Sequence, residues 1–292
     1  MLSMNFSMMS AAVLNGLMFG SIYALVALGL TLIYGVLHII NFAHGALLML
    51  ALYATYFLFS IAGIDPYLAL VIVVPVSFVF GYVLYRWGIG KLAQGKDQNI
   101  LLITLGLSIV FENGALFFFT ADQQVINVSY AYVSVDLGVV LLALPKVISF
   151  FASLAICLLL WAWMKTTDMG RAIRAVAKER QGARLVGVDV EHIFAVSYGV
   201  GLACLGAAGC LLLPSFYVDP FTGNVFVIVA FTIVVLGGMG SFVGALVGGF
   251  IIGITESLGG MFLGESLGQI GISVIFILIL LFRPTGLFGA KQ

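Results

Sequence analysis

Apolar runs of membrane-spanning length recur along this chain, and no other feature limits its fold as strongly. They lie near 12–36, 42–61, 67–87, 99–119, 146–164, 193–213, 242–258 and 267–282. A helix needs about 20 mostly apolar residues to cross about 30 Å of hydrocarbon. These runs are too long, and apolar on too many sides, to be the alternating segments of about ten residues that build a membrane β-barrel. Composition excludes a water-soluble fold: 63% of the 292 residues are hydrophobic and 8% are charged, against about 25% charged in a typical soluble domain. The expected fold is all-α, a polytopic transmembrane helical bundle. A ninth run, Val225 to Leu236, has 12 residues and reaches only about 18 Å as a helix. It is either lengthened through Gly237 and Gly238 or a half-helix held among its neighbours. The chain therefore has eight to nine spans, one of them short or broken.

Basic residues orient the bundle. Arg86, Lys91 and Lys96 cluster between the third and fourth runs. Six of the twelve basic residues, Lys165, Arg171, Arg174, Lys178, Arg180 and Arg184, share one polar island from Lys165 to His192. Both groups belong on the cytoplasmic side, with an even number of crossings between them. Segments 62–66, 120–145 and 214–224 then face outward, with Lys146 alone at their edge. Counting the short run as a crossing puts Arg283 and Lys291 inside and the N-terminus outside, which favours nine spans over eight. The opening MLSMNFSMMS has no Lys or Arg, so it lacks the charged start of a cleaved signal peptide. The first run is expected to stay in the membrane.

Several chemistries are disfavoured. The formal net charge is zero, so nothing global attracts nucleic acid. Cys157, Cys204 and Cys210 sit inside apolar runs and read as small buried hydrophobes. GKLAQGKD, from Gly90 to Asp97, has the spacing of a phosphate loop. It ends in Asp97 where Ser or Thr would hold Mg²⁺, and no α/β domain surrounds it. His38 and His44 are off the i,i+4 spacing of helical metal ligands, and His192 stands alone. No nucleophile elbow or H-E-x-x-H motif is present. Neither enzyme chemistry nor a cofactor is expected of this chain.

Glycines at four-residue spacing, Gly16 and Gly20, Gly240, Gly244 and Gly248, and Gly260, Gly264 and Gly268, would let helices approach closely. GSIYALVALG at 20–29 echoes GSFVGALVGG at 240–249, a short hint of an internal repeat. Glu112, beside Asn113, and Glu256 are carboxylates inside apolar runs, which mark functional sites by default. Glu112 either lines a polar pathway or relays protons; the plainer reading of Glu256 is that it reaches water at the outer end of its span. LHIINFAHG, at 37–45, puts Asn41 and His44 between two runs. It reads as a broken helix on the translocation path or as a cytoplasmic turn.

The island itself reads as helix. Thr167 or Asp168 is the expected N-cap and Gly187 the C′ residue. Ile173, Val176 and Ala177 make an apolar face, while Arg171, Arg174, Lys178 and Arg180 cover the rest. Gly182 weakens the helix by about 1 kcal/mol relative to Ala, so a bend or two short helices are expected. Three readings follow: a solvated basic loop, a helix lying on anionic lipid, or a helix docked in the groove of a soluble partner.

GRAIRAVAKERQGARLVGVD resembles the cytoplasmic coupling-helix segment of ABC-importer permeases, in particular the branched-chain amino acid permeases of the LivH/LivM type. NGLMFGSIYALVALGLTLIYGV, INFAHGALLMLALY, VLGGMGSFVGALVGG and LFRPTGLFG carry the same resemblance in collinear order. It implies a single transmembrane permease domain over 1–292 with a coupling loop at about 165–192, in a bacterial inner membrane. Its partners would be a second permease, two cytoplasmic ATPases that bind ATP and Mg²⁺, and a periplasmic binding protein. The coupling contact would fall on Arg171, Ile173, Arg174, Ala175, Val176, Ala177, Glu179, Ala183 and Gly187; the path residues, nominated by their own polar chemistry and not by the resemblance, are Asn41, His44, Glu112 and Asn113. The implied cargo is an aliphatic amino acid, with urea, short amides or other amino acids as alternatives. A proton-driven carrier working through Glu112 is the reading from a different class.

Overall fold

Every apolar run becomes helix, and the polar joints between them are capped where the sequence supplies a cap. The structure, a computed structural model, describes residues 2–93, 97–136, 138, 140–264, 268–283 and 286–288. Lys96, Lys291 and parts of the 90–97 and 281–289 motifs lie outside them. The order is α1 (Leu2–Leu37), α2 (His44–Ala62), α3 (Pro66–Val83), a π-helical turn (Leu84–Ile89), α4 (Gly90–Ala93) and α5 (Asp97–Phe119). A small antiparallel hairpin follows, β1 (Ser134–Asp136) and β2 (Leu141–Ala143), within the segment 120–145 that was expected to face outward. Then come α6 (Leu144–Thr166), α7 (Asp168–Lys178), α8 (Arg180–Leu185), α9 (Val190–Leu212), α10 (Thr222–Gly237), α11 (Phe242–Leu263) and α12 (Gly268–Phe282). Among the described residues, seven helices are long and apolar enough to cross a membrane; α10 and α12 are shorter. Asp65 opens α3 by accepting from Tyr67 N at 2.9 Å, with Pro66 in the first turn. Ser241 opens α11 in the same manner through Gly244 N.

The helices form an inverted repeat. α1 lies antiparallel to α11, where a Cβ on Gly20 would stand 2.7 Å from the Gly249 carbonyl and one on Gly16 2.7 Å from that of Gly253. α3 lies antiparallel to α9 through Gly81, Gly199 and Gly206. α1 and α9 also pack on each other, through Gly29 and Gly201. The unit α1–α2–α3 therefore corresponds to α9–α10–α11, turned over. The local chemistry repeats too. Asn41 Oδ1 accepts from Ala43 N at 3.1 Å, and Asp219 Oδ1 accepts from Phe221 N at 2.8 Å. Each turn leads to a glycine in second position of a helix, Gly45 and Gly223, and these two meet backbone to backbone.

This arrangement corrects two expectations. The echo between 20–29 and 240–249 joins helices that face one another, not equivalent members of the repeat; both are smooth because they share one seam. The glycines at 260, 264 and 268 are not one helical stripe either, because Gly264 has φ 96° and closes α11 before α12 begins.

Candidate coupling surface and candidate path

The polar island folds into the two short helices α7 and α8. Thr167 caps α7, its Oγ1 accepting from Gly170 N at 3.1 Å. The break between the helices falls at Glu179, whose backbone is extended at φ −153° and whose carboxylate accepts from Gln181 N at 3.2 Å. Gly182 was the expected bend, but it lies in the first turn of α8 with the Glu179 side chain against it. A side chain that can cap outcompetes a residue that merely weakens helix. Gly187 ends α8 as expected. At φ 88° it donates to Arg184 O, while Val188 N reaches back to Ala183 O at 3.0 Å, the paired bonds of a Schellman motif.

Burial divides the proposed contact residues into two groups. Ile173 and Val176 are buried, and so is Ala183; they seat the helices on the bundle and face away from any soluble partner. Ala177 is half-buried, while Arg171, Arg174, Ala175, Glu179 and Gly187 are exposed. The arginines also brace the joint. Arg174 donates to Met164 O at the end of α6, and Arg171 pairs with Asp168. Arg180 donates to Leu37 O at the end of α1 and stands 5.2 Å over the Phe194 ring of α9. Sequence reading missed Leu185 and Val186, which are 88% and 79% exposed at the tip of α8. Two apolar side chains this bare on a polar loop are the signal that was available.

Asn41 and His44 come together deep inside the bundle. Asn41 is 1% exposed and His44 0%. His44 Nε2 lies 3.0 Å from Val26 O, three turns back along α1 from Leu37 and about 16 Å from that end. Because a carbonyl only accepts, Nε2 carries the proton, and Nδ1 has no hydrogen-bond partner among the described residues. Phe42 N donates to Thr104 Oγ1 of α5 at 3.3 Å, and Tyr198 of α9 faces Asn41. At 37–45 the structure shows a turn that joins two separate helices, α1 and α2, with buried Asn41 and His44 on it. The chain turns at His38, φ 56°, and α2 starts inside the bundle against the start of α10.

Glu112 and Asn113 stand apart from that turn. Glu112 accepts from Ser108 at 3.0 Å and Asn113 donates to Ile109 O, both within α5. They lie about 12 Å along the helix from Thr104, and Asn113 is exposed. A cavity of about 650 Å³ between α3, α6 and α9 is lined by apolar side chains such as Leu70, Ile156 and Val200. Its lining carries no charged side chain. Among the described residues no cluster of His, Cys, Asp or Glu could hold a metal ion.

Comparison with known proteins agrees with this architecture. A family described as the permease component of the branched-chain amino acid transport system matches residues 12–282. The high-affinity branched-chain amino acid transport system permease protein BraD of Pseudomonas aeruginosa is 30% identical over 292 residues, covering 95% of each chain. LivH of Escherichia coli, described in the same words, is 32% identical over 298 residues, covering 95% of this chain and 94% of its own. Among solved structures, PsaBC from Streptococcus pneumoniae in complex with Fab has a chain of the same fold. Its TM-score is 0.52 at 17% identity, over 93% of this chain and 91% of that one.

Proposed function

This chain belongs to the branched-chain amino acid transport permease family, and from that premise we propose that it is the membrane subunit of an ATP-driven importer of aliphatic amino acids. The observation that carries the reading is the pair α7–α8. Two capped helices, anchored by Arg174 and Arg180 to the ends of α6 and α1, present an exposed outer face ending in Leu185 and Val186. A partner that grips this face moves α1, α6 and α9 directly, because the buried side of the pair is packed on the bundle. The matching partner is a cytoplasmic ATPase, one for this chain and one for a second, similar permease. ATP and Mg²⁺ would then be bound outside this chain, and a periplasmic binding protein would deliver cargo to the opposite end. The basic end, with Arg86, Lys91 and α7–α8, faces the cytoplasm of an inner membrane.

Reconstitution with the two ATPases, the second permease and the binding protein tests this. Leucine uptake should require ATP, and Leu185→Asp with Val186→Asp should lower uptake at least tenfold while the complex still assembles. Full-rate uptake by that double variant would sink the docking surface. A proton gradient sufficing in place of ATP would favour the carrier reading through Glu112. That reading has little behind it, since the partner of Glu112 is Ser108 of its own helix.

A further inference from the structure

A second cavity, of about 510 Å³, opens between α1, the first turn of α6 and the later half of α11. It lies at the end opposite the basic one, within the ordinary size of small-molecule sites, about 300–1,000 Å³. Two residues of opposite charge line it, Lys146 and Glu256, and neither the coupling pair nor the turn between α1 and α2 uses them. They are not within ion-pair distance of each other. Their neighbours are already committed. Asn15 donates its Nδ2 to Ala11 O at 3.0 Å, which turns its Oδ1 toward Lys146 Nζ at 3.1 Å. Lys146 is thereby held 4.9 Å over the Phe19 ring with N–H donors to spare. Tyr23 faces the Glu256 carboxylate from α1, while Ser257 gives its hydroxyl to Ala12 O at 2.7 Å. Phe19, Phe216 and Met261 supply apolar wall. Beneath, Tyr23 and Phe216 both pack edge-on against Phe226 of α10, at 5.8 and 5.6 Å between centroids.

Ionisable groups held within a membrane are costly and mark substrate pathways. Two of opposite sign, kept apart across one partly apolar cavity, complement a ligand that carries both signs on one carbon. We propose that this cavity binds a zwitterionic aliphatic amino acid on its way through the permease. Lys146 takes the carboxylate, Glu256 takes the ammonium, and the side chain lies on Phe19, Phe216 and Met261. The proposal rests on the importer reading and names where its cargo is recognised.

Binding of radiolabelled L-leucine to the full chain in lipid nanodiscs, with no binding protein present, reads the site directly. Leucinamide lacks the negative charge and isocaproate lacks the positive one, so each should compete about tenfold or more weakly than leucine, the usual cost of losing one charged hydrogen bond. Lys146→Gln and Glu256→Gln should each weaken leucine by a similar factor. The site is overturned if the wild-type chain binds no leucine in the millimolar range, or if either analogue competes as well as leucine. Those two results need no variant, so a folding defect cannot mask them. Uptake by the assembled complex separates this proposal from its premise. Wild-type leucine uptake by both variants removes the site alone, whereas a complex that moves no amino acid removes the importer reading.

Discussion

Glycine positions show how finely single residues set this bundle. At Gly20 a methyl group would stand 2.7 Å from a carbonyl of α11, whereas at Gly106 of α5 it would meet nothing within 4 Å. Gly20→Ala should therefore destabilise by about 1–3 kcal/mol through overpacking, and Gly106→Ala should stabilise by about 0.5–1 kcal/mol through helix propensity. Thermal unfolding in nanodiscs compares the two, and equal shifts would contradict the close α1–α11 seam. His44 makes a second case. It is fully buried on Val26 O, so His44→Ala should cost about 2–5 kcal/mol, the range for emptying a packed core site, while the carbonyl keeps its bond within α1. The glycine spacing of Gly16 and Gly20 was legible in the sequence, because helical periodicity is local. Their partners, Gly253 and Gly249, were not, because neither helix indicates which other helix it will meet.

At the scale of elements, caps were the most legible features and their competition the least. Thr167 and Gly187 stand where the sequence puts them, yet the break moves from Gly182 to Glu179 because the carboxylate reaches Gln181 N. Glu179→Ala removes that cap, worth about 1 kcal/mol. In the reconstituted complex it should lower uptake several-fold while ATP hydrolysis continues; an unchanged ratio of transport to hydrolysis would disprove the coupling role. On the opposite end, Tyr130 donates to Asp65 Oδ2 at 2.8 Å and ties the 120–143 segment to the α2–α3 turn. Burial, and then Asp65 beside it, raise the Tyr130 phenol above its ordinary value. The folded protein keeps this proton where the unfolded chain would lose it. The contribution is therefore intact below about pH 10 and declines as pH rises beyond it. Tyr130→Phe should flatten the loss of stability above about pH 10, as followed by thermal unfolding.

For the molecule as a whole, the inverted repeat brings the starts of α2 and α10 together at Gly45 and Gly223, a geometry in which the irregular backbone before each helix is tolerated because protein surrounds it. The chain alone should release no phosphate from ATP, and hydrolysis should appear only when ATPase partners are added; turnover by the purified chain would refute the division of labour. The sequence by itself determined the solvent of the protein, the helices, the polar island and its caps, since hydrophobicity and capping act over a few neighbouring residues. It also marked Glu112 and Glu256 as costly carboxylates inside apolar runs, and it put Asn41 and His44 at a joint between two runs. Only the tertiary structure decided that the starts of α2 and α10 meet at Gly45 and Gly223. It alone brought Lys146 and Glu256, far apart in the chain, to one cavity. Such meetings depend on which small-residue seams close on which, and that is settled by packing among all the helices at once.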